Sequence, residues 1–241
     1  MKYSFIILFL LLISSVDAWN FKGHQSIVEI VYYASDFKLQ EKLNLTLLKE
    51  GAIVPDHVFH DVRLHHYPPS YNLAEKWLNS AKEEYDNKNY NNASYSFGVA
   101  SHYISDSFIA PHYISREPGS LHSEFETQAI KNFNEKIKCY KTKINLNETL
   151  FNGTKNKDDW ILWTLSKNET IPKREYLHAL NATFPIFLEI FNSTCNNFHT
   201  EIIKQKFHLN FKVIIFIILI LIYYLFYILN KKYKLIKRIR F

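Results

Sequence analysis

The feature that most limits this chain is a charge-free run of seventeen residues near its end, Val213 to Leu229, followed by a tail with six basic residues and no acid. VIIFIILILIYYLFYIL has the length of a short spanning helix, and Tyr223, Tyr224 and Tyr227 gather toward one end as interfacial aromatics do. Lys231, Lys232, Lys234, Lys237, Arg238 and Arg240 put the tail on the cytoplasmic side and the residues before the run outside, by the positive-inside rule. A second apolar stretch, Phe5 to Ile13, follows Lys2 and leads to Val16-Asp17-Ala18, the pattern of a secretory signal peptide. The sequence thus predicts a signal peptide over 1–18, one domain over 19–210, a transmembrane helix over 211–230 and a basic tail over 231–241. This is the plan of a single-pass type I membrane protein with its domain extracellular. Cleavage after Ala18 makes Trp19 the first residue; an uncleaved signal anchor is the alternative.

The formal net charge of +6 belongs to the tail rather than to the domain. Trp19 to Lys212 carries 22 basic and 22 acidic residues, so charge does not support a nucleic-acid-binding face. Sequons begin at Asn44, Asn92, Asn147, Asn152, Asn168, Asn181 and Asn192, all between the two apolar ends, which agrees with an exposed, glycosylated domain. Cys139 and Cys195 are the two cysteines. Outside the cell they can form a disulfide, and two free thiols is the other reading; spacing alone decides neither.

Low glycine content and the lack of Val/Thr alternation argue against a sandwich or barrel. Ala93, Phe97, Ala100, Ile104 and Phe108 recur at three- and four-residue steps, one apolar stripe of a helix over 90–109 that Pro111 cannot continue. Further helices are expected over 24–34, entered through Gly23, and over 72–85, 121–138 and 177–207. Residues 51–69 read as turn-rich and 140–175 as looser. The expectation is an all-α fold in one multi-helical domain.

Eight of the eleven histidines crowd between His24 and His122. His102 and Asp106 are four apart, so on a helix both project from one face, and His112 follows just beyond Pro111. His122 and Glu126 repeat the four-residue spacing. Pro55-Asp56 and His65-His66-Tyr67-Pro68-Pro69 add an acid and a histidine from one loop. Imidazole nitrogen with carboxylate oxygen suits zinc. One such pair is usually a surface ion pair; two on consecutive helices, with His112 between them, are less easily dismissed. His57, His60, His178, His199 and His208 read as surface or packing residues, and Trp77, Trp160 and Trp163 as core.

These residues resemble the zinc-dependent phospholipase C family, which includes the clostridial alpha-toxin type and shares a mostly helical fold with S1/P1 nucleases. The family begins, after processing, with a tryptophan whose amino and carbonyl groups bind zinc; Trp19 matches it. His24 matches an early histidine, Pro55-Asp56 the family's proline–aspartate loop, and His65, with His66 one step away, its histidine before two aromatics and a proline. His102, Asp106 and His112 match the H-x-x-x-D-x-x-x-x-x-H core, and His122 with Glu126 the H-x-x-x-E pair. The loop from Asp56 to His65 is shorter than in the toxin type. Where the toxin continues into a lipid-binding sandwich, this sequence runs into the apolar segment.

The resemblance implies three zinc ions: one held by Asp56, His65, His102 and Asp106, a second by His112, His122 and Glu126, a third by Trp19, His24 and a bridging Asp106. The Trp19 contact uses a free α-amine and therefore requires cleavage after Ala18. The implied chemistry is phosphate-ester hydrolysis by zinc-activated water, with Asp56 both ligand and general base. Glu126 rather than an aspartate, the apolar anchor and the neutral domain favour phospholipid or another phosphodiester as substrate, reached at the membrane, and no stable nucleic-acid partner. The rivals are an S1/P1-like nuclease or nucleotidase, a non-catalytic glycosylated surface protein, and a zinc-storing ectodomain.

Overall fold

The computed structural model describes residues 20–133, 137, 139 and 144–196. Among them there is no strand, only an isolated bridge between Ser35 and Cys195. The helices are α1 (Asn20–Ala34), α2 (Phe37–Gln40), α3 (Leu45–Gly51), α4 (Pro69–Asp86), α5 (Tyr90–Asp106), α6 (Gly119–Ile130), α7 (Leu146–Gly153), α8 (Asp159–Ser166) and α9 (Thr170–Ile190). A π-helical turn, Pro55–Phe59, and 3-10 turns at Val62–Leu64, Ala110–Tyr113 and Thr154–Asp158 join them.

Helix α5 is the axis. Every residue from Ser96 to Asp106 is buried, so it is enclosed on all sides by other elements, as its mixture of Ala, Ser and Gly with large apolar residues permits. Its hydroxyls turn inward onto its own backbone: Ser101 Oγ donates to the Gly98 carbonyl at 2.7 Å and Ser107 Oγ, just past the helix, to that of Tyr103 at 2.8 Å. Phe97 packs against Phe187 and Phe191 of the α9 end, with ring centroids 4.8 and 5.5 Å apart. A smaller cluster of Ile109, Ala110, Phe125, Trp160, Trp163 and Ile171 supports α6 from below. Cys139 and Cys195 are joined by a disulfide, and Asp36, which caps α2, also accepts from Ser193 Oγ at 2.5 Å and Thr194 N–H at 3.2 Å.

Several sequence-level boundaries shift. Helix α1 begins at Asn20, so Gly23 lies within its first turns rather than before it. Helix α6 stops at Ile130, not Lys138: Lys131 turns extended and Asn132 takes a positive φ of 54°, which a short amide side chain tolerates. Residues 144–175 are largely helical rather than loose, because Asn145 caps α7 by accepting from Glu148 N–H and because Trp160 and Trp163 are buried. Helix α9 starts seven residues before the expected Leu177, burying Ile171, Pro172 and Glu175. The signal peptide, Trp19, residues 197–207, the apolar run and the basic tail lie outside the described residues. Among the described ones, no helix is long and apolar enough to cross a membrane.

Candidate metal centre

Five elements bring their polar residues to the buried end of α5. The helix carries His102 and Asp106 one turn apart on one face. The 3-10 turn around Pro111 reverses the chain and returns His112. Helix α6 contributes His122 and Glu126, and α1 contributes His24. The π-turn at Pro55–Phe59 presents Asp56, and the 3-10 turn over Val62–Leu64 delivers His65.

Asp106 is the hub. Its Oδ2 lies 2.9 Å from His65 Nδ1 and 3.0 Å from His102 Nε2, while its Oδ1 is 3.4 Å from both His24 Nε2 and His112 Nε2. Asp56 Oδ1 closes the first group, 3.6 Å from His65 Nδ1 and 3.7 Å from His102 Nε2, which are themselves 3.3 Å apart. Glu126 Oε1 sits 3.0 Å from His122 Nε2 and 4.0 Å from His112 Nε2. Eight of the nine residues singled out from the sequence thus converge; the ninth, Trp19, lies outside the described residues. Sets able to share an ion are His24, Asp56 and His102; His65, Asp106 and His112; and His112, His122 and Glu126. The resemblance instead pairs His24 with Trp19 and Asp106, and the 3.4 Å approach of His24 to Asp106 accommodates that pairing as well. His65 is fully buried in the cluster, whereas His66 faces Tyr113 with ring centroids 5.7 Å apart.

The residues present fit metal ions. Asp106 Oδ1 and Oδ2, His112 Nε2 and Glu126 Oε2 are buried with no well-formed hydrogen bond, a costly arrangement for polar atoms, and the neighbours of Asp106 are ring nitrogens of the same cluster. A tetrahedral ion about 2.0–2.1 Å from each ligand holds ligand atoms about 3.3 Å apart. The spacings of 2.9 to 3.7 Å among Asp56, His65, His102 and Asp106 bracket that value.

Electrostatics reflect the crowding. Burial tends to neutralise His102, but the adjacent Asp106 and Asp56 outweigh it and push its pKa up to about 9. His122 behaves alike: burial is outweighed by Glu126 and Glu117, again to about 9. His24 goes the other way, lowered to about 4 by burial and by His102. Burial favours a neutral Asp106, yet His112, His102 and His24 hold its carboxyl well below the usual range.

The outward nitrogens of four of these rings are also engaged. His24 Nδ1 meets Ser105 Oγ at 3.0 Å, His102 Nδ1 the Ala52 carbonyl at 2.9 Å, His122 Nδ1 Glu117 Oε1 at 3.1 Å and His65 Nε2 Asp61 Oδ1 at 2.9 Å. Sequence reasoning missed Ser105, Asp61 and Glu117. Asp61 does precede His65 by four residues, but that spacing carries meaning only on a regular helix, and this segment turns twice. Glu175, fully buried beneath the site, accepts from Ala110 N–H at 2.9 Å and steadies the turn that carries His112; burial raises its pKa well above the usual carboxylate value.

The family model described as zinc dependent phospholipase C matches residues 24–190. No curated protein matches the chain.

Proposed function

Because the chain belongs to the zinc-dependent phospholipase C family, and is thereby a zinc-dependent phosphoric diester hydrolase, we propose that it is an anchored enzyme that hydrolyses phospholipid outside the cytoplasm. In this reading three zinc ions would be held by the cluster, one by Asp56, His65, His102 and Asp106, a second by His112, His122 and Glu126, and a third by Trp19, His24 and Asp106. A glycosylated domain over 19–210 works beside the membrane that holds residues 211–230.

The observation that carries the reading is the double use of Asp106. Each of its oxygens approaches two imidazoles, so one buried carboxylate ties together ligands from α1, α5, the His65 loop and the His112 turn. Zinc held there would neutralise an anionic phosphate and lower the pKa of water toward about 7. The protein's part is to orient. His65, His102 and Asp106 are buried to 1% exposure or less, while the Asp56 side chain keeps 20% and stands at the solvent edge. In this reading Asp56 takes a proton as general base, and its partial exposure supports that role.

The test is to purify the chain with its mature amino terminus, count zinc by elemental analysis, and compare release of phosphorylcholine from phosphatidylcholine with cleavage of single-stranded DNA. About three zinc ions and lipid hydrolysis support the proposal. Preference for DNA moves the protein to the S1/P1-like nuclease reading, and a folded protein without zinc removes the hydrolase reading altogether.

A further inference from the structure

One ligand ring in the cluster is turned around. His24, His102, His112 and His122 each aim Nε2 at the acidic groups of the centre. His65 aims Nδ1 inward instead, 2.9 Å from Asp106 Oδ2, and sends Nε2 outward to Asp61. Asp61 begins the 3-10 turn Val62–Leu64, but its carboxylate makes no capping bond there. Both its oxygens are used elsewhere: Oδ1 lies 2.9 Å from His65 Nε2, and Oδ2 accepts from the Tyr103 hydroxyl at 2.6 Å. Tyr103 is fully buried and follows His102 directly on α5.

We propose that Asp61, anchored by Tyr103, is the positioning residue that selects the His65 tautomer and thereby makes His65 Nδ1 a metal ligand. A carboxylate only accepts, so the nitrogen facing Asp61 carries the proton and the inward nitrogen presents its lone pair. A carboxylate behind the ring also makes that lone pair a stronger donor. Because Tyr103 and His102 are neighbours on one rigid helix, the tyrosine references the loop histidine to the same scaffold that holds His102 and Asp106. The loop between Asp56 and His65 displays Val58, Val62 and Leu64 to solvent, so apolar burial does little to fix its register, and the Tyr103–Asp61–His65 chain takes that part. The inference rests on zinc occupying the cluster, and metal binding without catalysis is enough to test it.

The experiment uses the full chain, stripped of metal and titrated with cobalt(II), read by visible absorption, with zinc affinity measured by chelator competition. Asp61→Ala is expected to weaken one ion by about 10- to 100-fold and to change the absorption of that ion alone. Asp61→Asn, whose amide oxygen still accepts from Nε2, is expected to recover part of the loss, and Tyr103→Phe to weaken the same ion less. Glu117→Gln, behind His122, is expected to affect a different ion. Circular dichroism and melting of the metal-free variants separate these effects from misfolding. Unchanged affinity and spectrum in folded Asp61→Ala overturns the proposal while leaving the hydrolase reading intact. A wild-type chain that binds neither metal overturns both.

Discussion

Gly51 and Gly98 meet backbone to backbone where α3 crosses α5. A Cβ on Gly98 would stand 2.3 Å from the Leu48 carbonyl oxygen, and one on Gly51 would stand 2.2 Å from that of Tyr95. The contact matters beyond packing, because the next residue after Gly51 is Ala52, whose carbonyl lies 2.9 Å from His102 Nδ1. The closeness of two helices thus orients the His102 ring one turn further along α5. Gly98→Ala must push rigid backbone aside. The expected cost is about 3 kcal/mol in chemical denaturation, with a weakened ion at His102. A variant as stable as the wild type and fully metallated would refute this.

Asp106→Asn removes the charge that four imidazoles share. Loss of at least one zinc ion by elemental analysis is expected, with activity on phosphodiesters falling to background. Full zinc occupancy in the variant would show that Asp106 is not the hub.

Metal binding must displace protons. Without metal, His102 and His122 keep theirs up to about pH 9 because of the carboxylates around them. At pH 7 both rings are charged, so zinc uptake releases protons and affinity rises with pH up to about 9, by about tenfold per unit for each proton displaced. Calorimetry in buffers of different ionisation enthalpy reads the proton count directly. Zinc affinity that is flat from pH 6 to 9 would contradict it.

Glu175 sets a second pH dependence, in stability. Its folded pKa is raised well above 4.5 by burial, with Asp159 adding to the effect. A raised value contributes stability that is complete below about pH 4.5 and is lost as pH climbs toward the folded pKa, by about 1.4 kcal/mol per unit. Glu175→Gln keeps an acceptor for Ala110 N–H and loses the charge. Its denaturation free energy is therefore expected to vary less with pH above 5 than that of the wild type, compared in the same metal state; parallel pH profiles would disprove the assignment.

Asn181 differs from most of the other sequon asparagines. Its Oδ1 is buried within α9, whereas Asn92, Asn147, Asn152, Asn168 and Asn192 are exposed. Mass spectrometry of the protein from a glycosylating host is expected to find glycan at exposed sites and none at Asn181. Glycan at Asn181 would mean that this part of α9 packs differently.

Helical character and the paired members of the cluster were legible in the chain, because each rests on local spacing. Residues four apart on a helix share a face whatever surrounds them, so His102 with Asp106 and His122 with Glu126 announce themselves as pairs. The stripe from Ala93 to Phe108 likewise marks α5, although its total burial is a property of its neighbours. What tertiary structure alone decided is how the pairs combine. Asp106 serves four imidazoles because turns at Val62–Leu64 and Ala110–Tyr113 bend two segments toward the helix end that α1 also approaches, and no local periodicity encodes where a turn aims. The same holds for Cys139 with Cys195, for the Gly51–Gly98 crossing and for the Tyr103–Asp61–His65 chain. Each joins residues whose closeness depends on backbone paths between them, so sequence determines the chemistry on offer and packing determines which groups meet.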